Sequence, residues 1–119
     1  MKEPTGCVLW KEPGRVLSGT TEDGFETLAT FVDESHWHRS LLKCRECGQL
    51  YFFEFYEEID WVGGNDPQYC TYIPVETDDE ISNLKKTDRW GILAFAPRLQ
   101  NDWPRDAEEP KVYWVGKKE

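Results

Sequence analysis

The alternation of side chains along residues 50–61 constrains the fold more than any other feature of the sequence. Apolar residues fill the odd-numbered positions except for Glu57, whereas the even-numbered positions mix acids with Leu50, Phe52 and Tyr56. Successive side chains of a β-strand point to opposite faces, so this pattern predicts a long, half-buried antiparallel strand. The odd-numbered apolar residues are Tyr51, Phe53, Phe55, Ile59 and Trp61, and the even-numbered acids are Glu54, Glu58 and Asp60.

Strands are predicted on both sides of this segment. Residues 37–43 predict the preceding strand, residues 44–48 a tight turn, and residues 69–75 the next strand after a Gly- and Pro-containing turn. A chain of 119 residues has the size of one domain, spanning residues 1–119. The predicted fold class is α+β and mainly β: a single domain with an antiparallel meander built around the 44–48 hairpin and one or two short helices.

The outer parts of the chain give less regular patterns. Thr77 and Glu80 match a capping box, which predicts a short helix after Thr77. Residues 25–32 combine a helical spacing of apolar residues with threonines that favour a strand, and a helix is the preferred interpretation. Brief strands are predicted at residues 8–10 and 16–17, and closing strands at residues 90–95 and 112–115.

The charge of the chain excludes two classes of partner. There are 14 Lys and Arg residues against 23 Asp and Glu residues, which gives a net charge of −9. A general nucleic-acid binder or a protein that docks on an anionic membrane normally presents a basic face, so neither class is expected. The first residues contain no apolar segment that could act as a signal peptide, which predicts a cytoplasmic location with reduced cysteines.

A cysteine motif carries the most specific chemistry. Cys44 and Cys47 form a Cys-x-x-Cys-Gly sequence in the predicted hairpin turn, with Gly48 free to adopt a positive φ. Two intervening residues let both sulfurs face one tetrahedral cation. The motif resembles the zinc knuckle of zinc-ribbon-like small bacterial proteins, and this resemblance implies a structural zinc ion.

The chain has no second Cys-x-x-Cys, so the other ligands must come from elsewhere. Cys7 and Cys70 would complete a four-sulfur site, and His36 and His38 are the alternatives. The simpler interpretation is a hairpin that carries only reduced thiols. A redox role is disfavoured, because a reactive Cys-x-x-Cys pair usually precedes a helix, and here a strand follows.

The acidic residues are concentrated in one stretch. Residues 54–80 contain nine Asp and Glu and no Lys or Arg, together with several aromatic residues. This combination suits a contact with a basic protein, although solvated acids around a packed core would give the same pattern. The candidate contact residues are Glu54, Glu57, Glu58, Asp60, Trp61, Asp78 and Asp79.

Two non-catalytic functions follow, because no nucleophile setting is present. In size and acidity the chain resembles bacterial immunity proteins, which implies a partner with a basic surface such as a toxin or nuclease. The alternative is a zinc-ribbon-like structural domain that serves as an adaptor in a larger assembly. An enzyme that uses the carboxylates or the cysteine pair is the least favoured hypothesis.

Overall fold

A computed structural model describes residues 3–17, 24–58, 63–64, 66–104 and 107–116. Within these residues, six strands form one sheet, each antiparallel to its sequence neighbour, in the order β1 to β6. The chain is thus a single, mainly β domain with a meander sheet and short helices, which confirms the predicted fold class. The strands are β1 (Phe25–Glu34), β2 (Trp37–Cys44), β3 (Leu50–Glu57), β4 (Gln68–Val75), β5 (Arg98–Trp103) and β6 (Lys111–Val115).

The helices cover both faces of the sheet. Helices α1 (Val8–Lys11) and α2 (Pro13–Leu17) bury Leu9 and Leu17 against Tyr51 and Tyr72 on one face. On the other face, α3 (Asp78–Lys86) and a 3₁₀ turn (Gly91–Ala94) bury apolar residues of their own. That second cluster consists of Phe52, Ile73, Val75, Leu84 and Ile92. The antiparallel strand is confirmed as β3. Its predicted half-burial is wrong, because the neighbouring residues Tyr51 and Phe52, which point to opposite faces, are both fully buried.

The predicted helix at residues 25–32 is also wrong, because this segment is the edge strand β1. Its pairing with β2 shifts between Thr27 and Ala29 and again between Thr30 and Val32. Each such irregularity places an extra residue in one strand and disturbs the strict alternation of faces. Phe25 is buried whereas Leu28 is 46% exposed, so the apolar residues with helical spacing do not form one buried face.

Three further predicted elements differ from the structure. The brief strands expected at 8–10 and 16–17 are the one-turn helices α1 and α2, the second of which starts at Pro13. Proline is favoured at the first position of a helix because its missing N–H would be unpaired there anyway. The closing strand expected at 90–95 is the 3₁₀ turn, and the strand follows at β5, whereas β6 confirms the strand expected at 112–115.

Helix α3 begins at the predicted capping box. The Glu80 N–H donates to Thr77 Oγ1 at 3.2 Å, and the Thr77 N–H donates to Glu80 Oε1 at 3.1 Å. Each bond satisfies a backbone N–H group at the helix N-terminus that has no partner within the helix. Among the described residues, no helix is long and apolar enough to cross a membrane.

A buried ion cluster joins α3 to the sheet. The Arg39 and Glu54 side chains are 3% and 1% exposed, and Arg39 Nε donates to Glu54 Oε2 at 2.7 Å. Arg39 Nη1 donates to the Thr87 carbonyl at 2.6 Å, just after the last helical residue. Arg89 Nε lies 3.3 Å from Glu54 Oε1. Glu54 therefore lies in the interior, which corrects its placement on a partner-binding surface.

We expect Glu54→Gln to lower the free energy of unfolding by roughly 3–5 kcal/mol, because two arginines then lose their buried counter-charge. Urea denaturation at pH 7 measures this loss. Glu58→Gln, at an exposed position on the same segment, is the control and should change stability by less than about 0.5 kcal/mol. Similar losses in the two variants would contradict a structural role for the Glu54 charge.

Candidate metal centre

Three cysteines from two distant parts of the chain meet at one end of the sheet. Cys44 is the last residue of β2, Cys47 lies in the β2–β3 turn, and Cys7 immediately precedes α1. Their Sγ atoms all lie within 4.8 Å of one another. Cys7 and Cys44 are buried, whereas Cys47 is exposed to solvent.

The β2–β3 turn has the backbone that the Cys-x-x-Cys-Gly sequence predicts. Gly48 adopts φ +82°, a left-handed conformation that glycine accepts without steric cost. The Gly48 N–H donates to the Cys44 carbonyl at 2.9 Å, and the Cys44 N–H donates to the Gln49 carbonyl at the same distance. This tight closure places Cys44 and Cys47 on one side of the hairpin.

The third cysteine is positioned by the packing of α1. Leu9 is fully buried in the core, and its carbonyl accepts a hydrogen bond from Trp114 Nε1 at 2.7 Å. Cys7 is the N-cap of this helix, and its own N–H donates to the Pro4 carbonyl at 2.9 Å. The N-terminal segment is thereby held with the Cys7 thiol facing the hairpin.

Burial sets the protonation of Cys7 and Tyr51. Desolvation raises the pKa of Cys7 to about 12, so the metal-free thiol is neutral at pH 7. The Tyr51 hydroxyl donates to Cys7 Sγ at 3.1 Å, and burial raises the pKa of Tyr51 above its ordinary value. A metal ion at this place must therefore displace the Cys7 proton, and Tyr51 can then stabilise the thiolate by its hydrogen bond.

Sequence reasoning missed Tyr51 as part of the site. Tyr51 was expected only as one of the apolar residues of the β3 odd-numbered face, and it is indeed fully buried. A phenol rather than a phenyl ring at a core position needs a hydrogen-bond partner. That requirement is a usable signal, but only the structure shows that the partner is Cys7.

The predicted fourth cysteine does not join the cluster. Cys70 lies five residues before Val75, which pairs with Leu50 beside the hairpin turn. At about 3.3 Å per residue, Cys70 is roughly 16 Å away along the strand. It packs against the core instead, where burial raises the pKa of its thiol to about 12. The four-sulfur site is wrong in this ligand.

The two histidines do not replace Cys70. His36 and His38 lie where β1 turns into β2, at the far end of β2 from Cys44. Nδ1 of His36 lies 2.7 Å from a Glu57 oxygen, and Nδ1 of His38 lies 3.1 Å from an Asp33 oxygen. In the part of the chain that the structure describes, the metal-ligating group is thus limited to the three cysteines.

A cleft of about 500 Å³ opens beside the cysteines. Cys7 and Cys47 line it together with Gln49 and the carboxyl-bearing residues Glu3 and Glu76. A tetrahedral metal held by three thiolates would direct its fourth position to water or to a ligand that enters by this cleft.

The acidic stretch does not form one surface. Glu57 pairs with Gln68 at one end of the β3–β4 ladder, whereas Asp78 and Asp79 follow Val75 at the other end. Seven residues of strand separate the two ends, which is about 23 Å. Asp60 and Trp61 lie outside the described residues. The structure therefore separates Glu57 and Glu58 from Asp78 and Asp79, which lie at opposite ends of the β3–β4 ladder.

Glu57 is held by its neighbours. His36 Nδ1 and Gln68 Nε2 lie 2.7 Å and 2.8 Å from its two oxygens. The hydrogen bond from His36, followed by that from Gln68, lowers the pKa of the Glu57 carboxyl. A carboxyl with a lowered pKa stabilises the folded state above its unfolded pKa, and this stability is lost as the pH falls through the folded pKa.

We expect Glu57→Gln to reduce the free energy of unfolding by about 0.5 kcal/mol at pH 7, as for a partly exposed pair. The difference should shrink once the pH drops below the ordinary Glu pKa of 4.5 and vanish below the lowered value. Urea denaturation across the acid range measures it, with Glu58→Gln as the control. A difference that persists unchanged at low pH would contradict the origin of the effect in the Glu57 charge.

Comparison of the chain with protein-family models, with curated proteins and with solved structures finds no match. The function is accordingly inferred from the chemistry of the residues themselves.

Proposed function

We propose that this protein is a non-catalytic domain that binds zinc through Cys7, Cys44 and Cys47, and that the metal fastens the N-terminal segment to the β2–β3 hairpin. The observation that carries the proposal is the approach of the three Sγ atoms to within 4.8 Å. All four cysteines of the chain are free thiols. A reducing compartment such as the cytoplasm, which the sequence predicts, would keep them available to a metal.

The ligand set supports zinc among the common metals. Thiolates are soft ligands, which favour Zn²⁺, Cu(I) and iron–sulfur chemistry over Mg²⁺ or Ca²⁺. Zn²⁺ accepts a tetrahedral arrangement readily, and a Cys-x-x-Cys pair spans two of its positions. Glu3 and Glu76 add negative charge beside the cysteines, which favours the approach of a cation.

Electrostatics supports a structural role. Three thiolates and one Zn²⁺ sum to a charge of 2 − 3 = −1, so the centre attracts an extra hydroxide poorly. Among the described residues that line the cleft beside the cysteines, which include Glu3, Gln49 and Glu76, no histidine is present that could relay protons. The chemistry of the centre therefore supports holding two segments together over activating water.

Protein purified without chelator should contain about one equivalent of zinc, and Cys7→Ser, Cys44→Ser and Cys47→Ser should each reduce it to about a tenth or less. Each serine removes one of three thiolate ligands. Elemental analysis by mass spectrometry, combined with protein concentration from absorbance, gives the ratio.

Cys70→Ser is the matched control, because this thiol is about 16 Å along the sheet from the cluster. It should retain the zinc content of the unchanged protein. Zinc below about a tenth of an equivalent in the unchanged protein, or an equal loss in all four variants, would contradict the proposed centre.

A second proposed function, the binding of a basic protein, is supported by the charge around the same end of the sheet. Glu3, Glu46, Glu76, Asp78 and Asp79 are all exposed there. These five acids outnumber Lys43 and Arg45, which are exposed on the same hairpin. An excess of negative charge at one end accelerates the encounter with a partner of the opposite sign. In this form the protein would be an adaptor or an inhibitor of a basic protein such as a toxin, with Asp78 and Asp79 at the contact.

The double variant Asp78→Asn with Asp79→Asn should lower the affinity for a basic partner at least tenfold, because two contact charges are lost. The partner is first captured from cell extract with the tagged protein, and its affinity is then measured by calorimetry at two salt concentrations. Glu57→Gln with Glu58→Gln, at the opposite end, should leave the affinity within a factor of two. Equal effects of both double variants would contradict a contact at the acidic end.

A further inference from the structure

The three clustered cysteines differ in their access to solvent. Cys47 is exposed and lines the cleft of about 500 Å³ together with Cys7. Cys44 is buried, and it is not among the described residues that line this cleft. The susceptibility of a thiol to oxidation depends on its exposure. A small oxidant that enters the cleft therefore reaches Cys47 first and has Cys7, not Cys44, as the neighbouring sulfur in the wall.

Cys47 also contacts Cys7 directly. The two thiols share a hydrogen bond, whereas Cys44 interacts with Cys7 electrostatically. The Sγ atoms of all three cysteines lie within 4.8 Å of one another, and a disulfide needs an S–S separation of about 2.0 Å. The Cys7 and Cys47 sulfurs thus need only a short approach to form a covalent bond.

The backbone holds Cys44 more firmly than the other two cysteines. Cys44 is the last residue of β2, where it pairs with Phe25 of β1 and donates its N–H to the Gln49 carbonyl at 2.9 Å. Cys47 lies in the β2–β3 turn and Cys7 in the bend before α1, both outside the strands. Disulfide geometry is specific, so a pair that can adjust its backbone forms the bond with less strain.

A bond between Cys7 and Cys47 would have a structural effect that a bond within the Cys-x-x-Cys sequence lacks. Residues 7 and 47 lie 40 positions apart, so their disulfide would fasten the N-terminal segment to the β2–β3 hairpin. A bond from Cys44 to Cys47 would close a turn that the Gly48 N–H already closes on the Cys44 carbonyl. The pair is therefore different from the Cys-x-x-Cys pair, for which the sequence disfavours a redox role.

We propose that the cysteine cluster is a peroxide-reactive site, in which Cys47 and Cys7 form a reversible disulfide that releases the metal. The release of zinc rests on the proposed function, whereas the disulfide does not require it. Oxidation removes two of the three thiolates, and zinc left with Cys44 dissociates. A covalent bond then joins the two segments that the metal joined before. In a reducing compartment such bonds are mostly transient and redox-sensing.

The oxidant is hydrogen peroxide, and the metal-free thiols react in two steps. The Cys47 sulfur attacks a peroxide oxygen, the O–O bond breaks, and Cys47 becomes a sulfenic acid while its thiol proton leaves with the other oxygen as water. The Cys7 sulfur then attacks the Cys47 sulfur, the S–O bond breaks, and a second water carries away the Cys7 proton. The two sulfurs give up two electrons, which reduce one peroxide to two waters. From the zinc-bound thiolates, the two protons come from solvent.

Tryptic mapping of the cross-link tests the proposal on the full-length chain, as purified and after removal of metal with a chelator. Cleavage after lysine and arginine places Cys7, Cys44 and Cys47 on the separate peptides 3–11, 44–45 and 46–85. Cys70 shares the last of these peptides, so the protein carries Cys70→Ser. After treatment with hydrogen peroxide and alkylation of the remaining thiols, mass spectrometry without reduction should find peptide 3–11 linked to peptide 46–85.

This link should exceed any link to peptide 44–45 roughly tenfold, because access decides which thiol reacts, and it should disappear with dithiothreitol. In the protein as purified, zinc measured with a chelating dye should be released mole for mole with the disulfide. The chain unfolded in urea is the control: there Cys44 and Cys47 close the shortest loop, so their link should dominate.

Cys44→Ser should retain the link between Cys7 and Cys47, whereas Cys7→Ser and Cys47→Ser should each abolish it. A dominant link between peptides 44–45 and 46–85 in the folded protein, the same distribution of links with and without urea, or no cross-link to peptide 3–11 would overturn the proposal. A link that forms in protein containing no zinc would contradict the metal centre and uphold the disulfide pair.

Discussion

The α3-covered side of the molecule depends on the interactions of the buried Glu54 carboxylate. It accepts hydrogen bonds from Trp37 Nε1 at 2.9 Å and from Arg39 Nε at 2.7 Å, and it faces Arg89 across 3.3 Å. A carboxylate removed from water needs such partners, because burial of an unpaired charge costs several kcal/mol. The position of α3 is thereby restricted: Arg39 also donates to the carbonyls of Leu84 and Thr87, at the negative end of the helix.

The two faces of the sheet are held by different chemistry. On the α3 side, charged groups and apolar residues share the interface, and the helix is fixed by its carboxyl end. On the α1 and α2 side, one-turn helices too short to be stable alone rest on Leu9 and Leu17. Cys7 precedes these helices and meets the β2–β3 hairpin, so a metal there would supply the stability that the short helices lack.

Local sequence patterns correctly predict the features that depend only on residues close together in the chain. The capping box of Thr77 and Glu80 and the turn that ends at Gly48 both form as predicted, since each is decided within four or five positions. The β1 bulges and the burial of Glu54 could not be predicted in this way. Both depend on what packs across the strand, and the strand's own sequence does not contain that information.

The candidate sites were only partly predictable for a related reason. The sequence predicts one group of four cysteines, and the structure brings together Cys7, Cys44 and Cys47. Cys70 belongs to the predicted group because a returning strand can bring any of its residues near the hairpin. Register decides which residue comes near, and Val75, not Cys70, reaches the turn. The separation of Glu57 from Asp78 follows from the same antiparallel pairing. The predicted meander already implies this separation. The strand after Glu57 runs antiparallel to β3, so the residues that follow that strand must lie at the opposite end of the sheet.

The fold shows that the charges behind the net value of −9 are unevenly distributed between the surface and the interior. Asp78 and Asp79 of α3 and Glu76 before it are exposed to solvent, where carboxylates are hydrated at little cost. The guanidiniums of Arg39 and Arg89 lie inside, with Glu54 as their shared counter-charge. An acidic protein thus encloses a cluster of two arginines and one carboxylate. Interactions within the enclosed cluster are screened by solvent less than those among the exposed acids, so the few buried charges affect the fold more than the many charges at the surface.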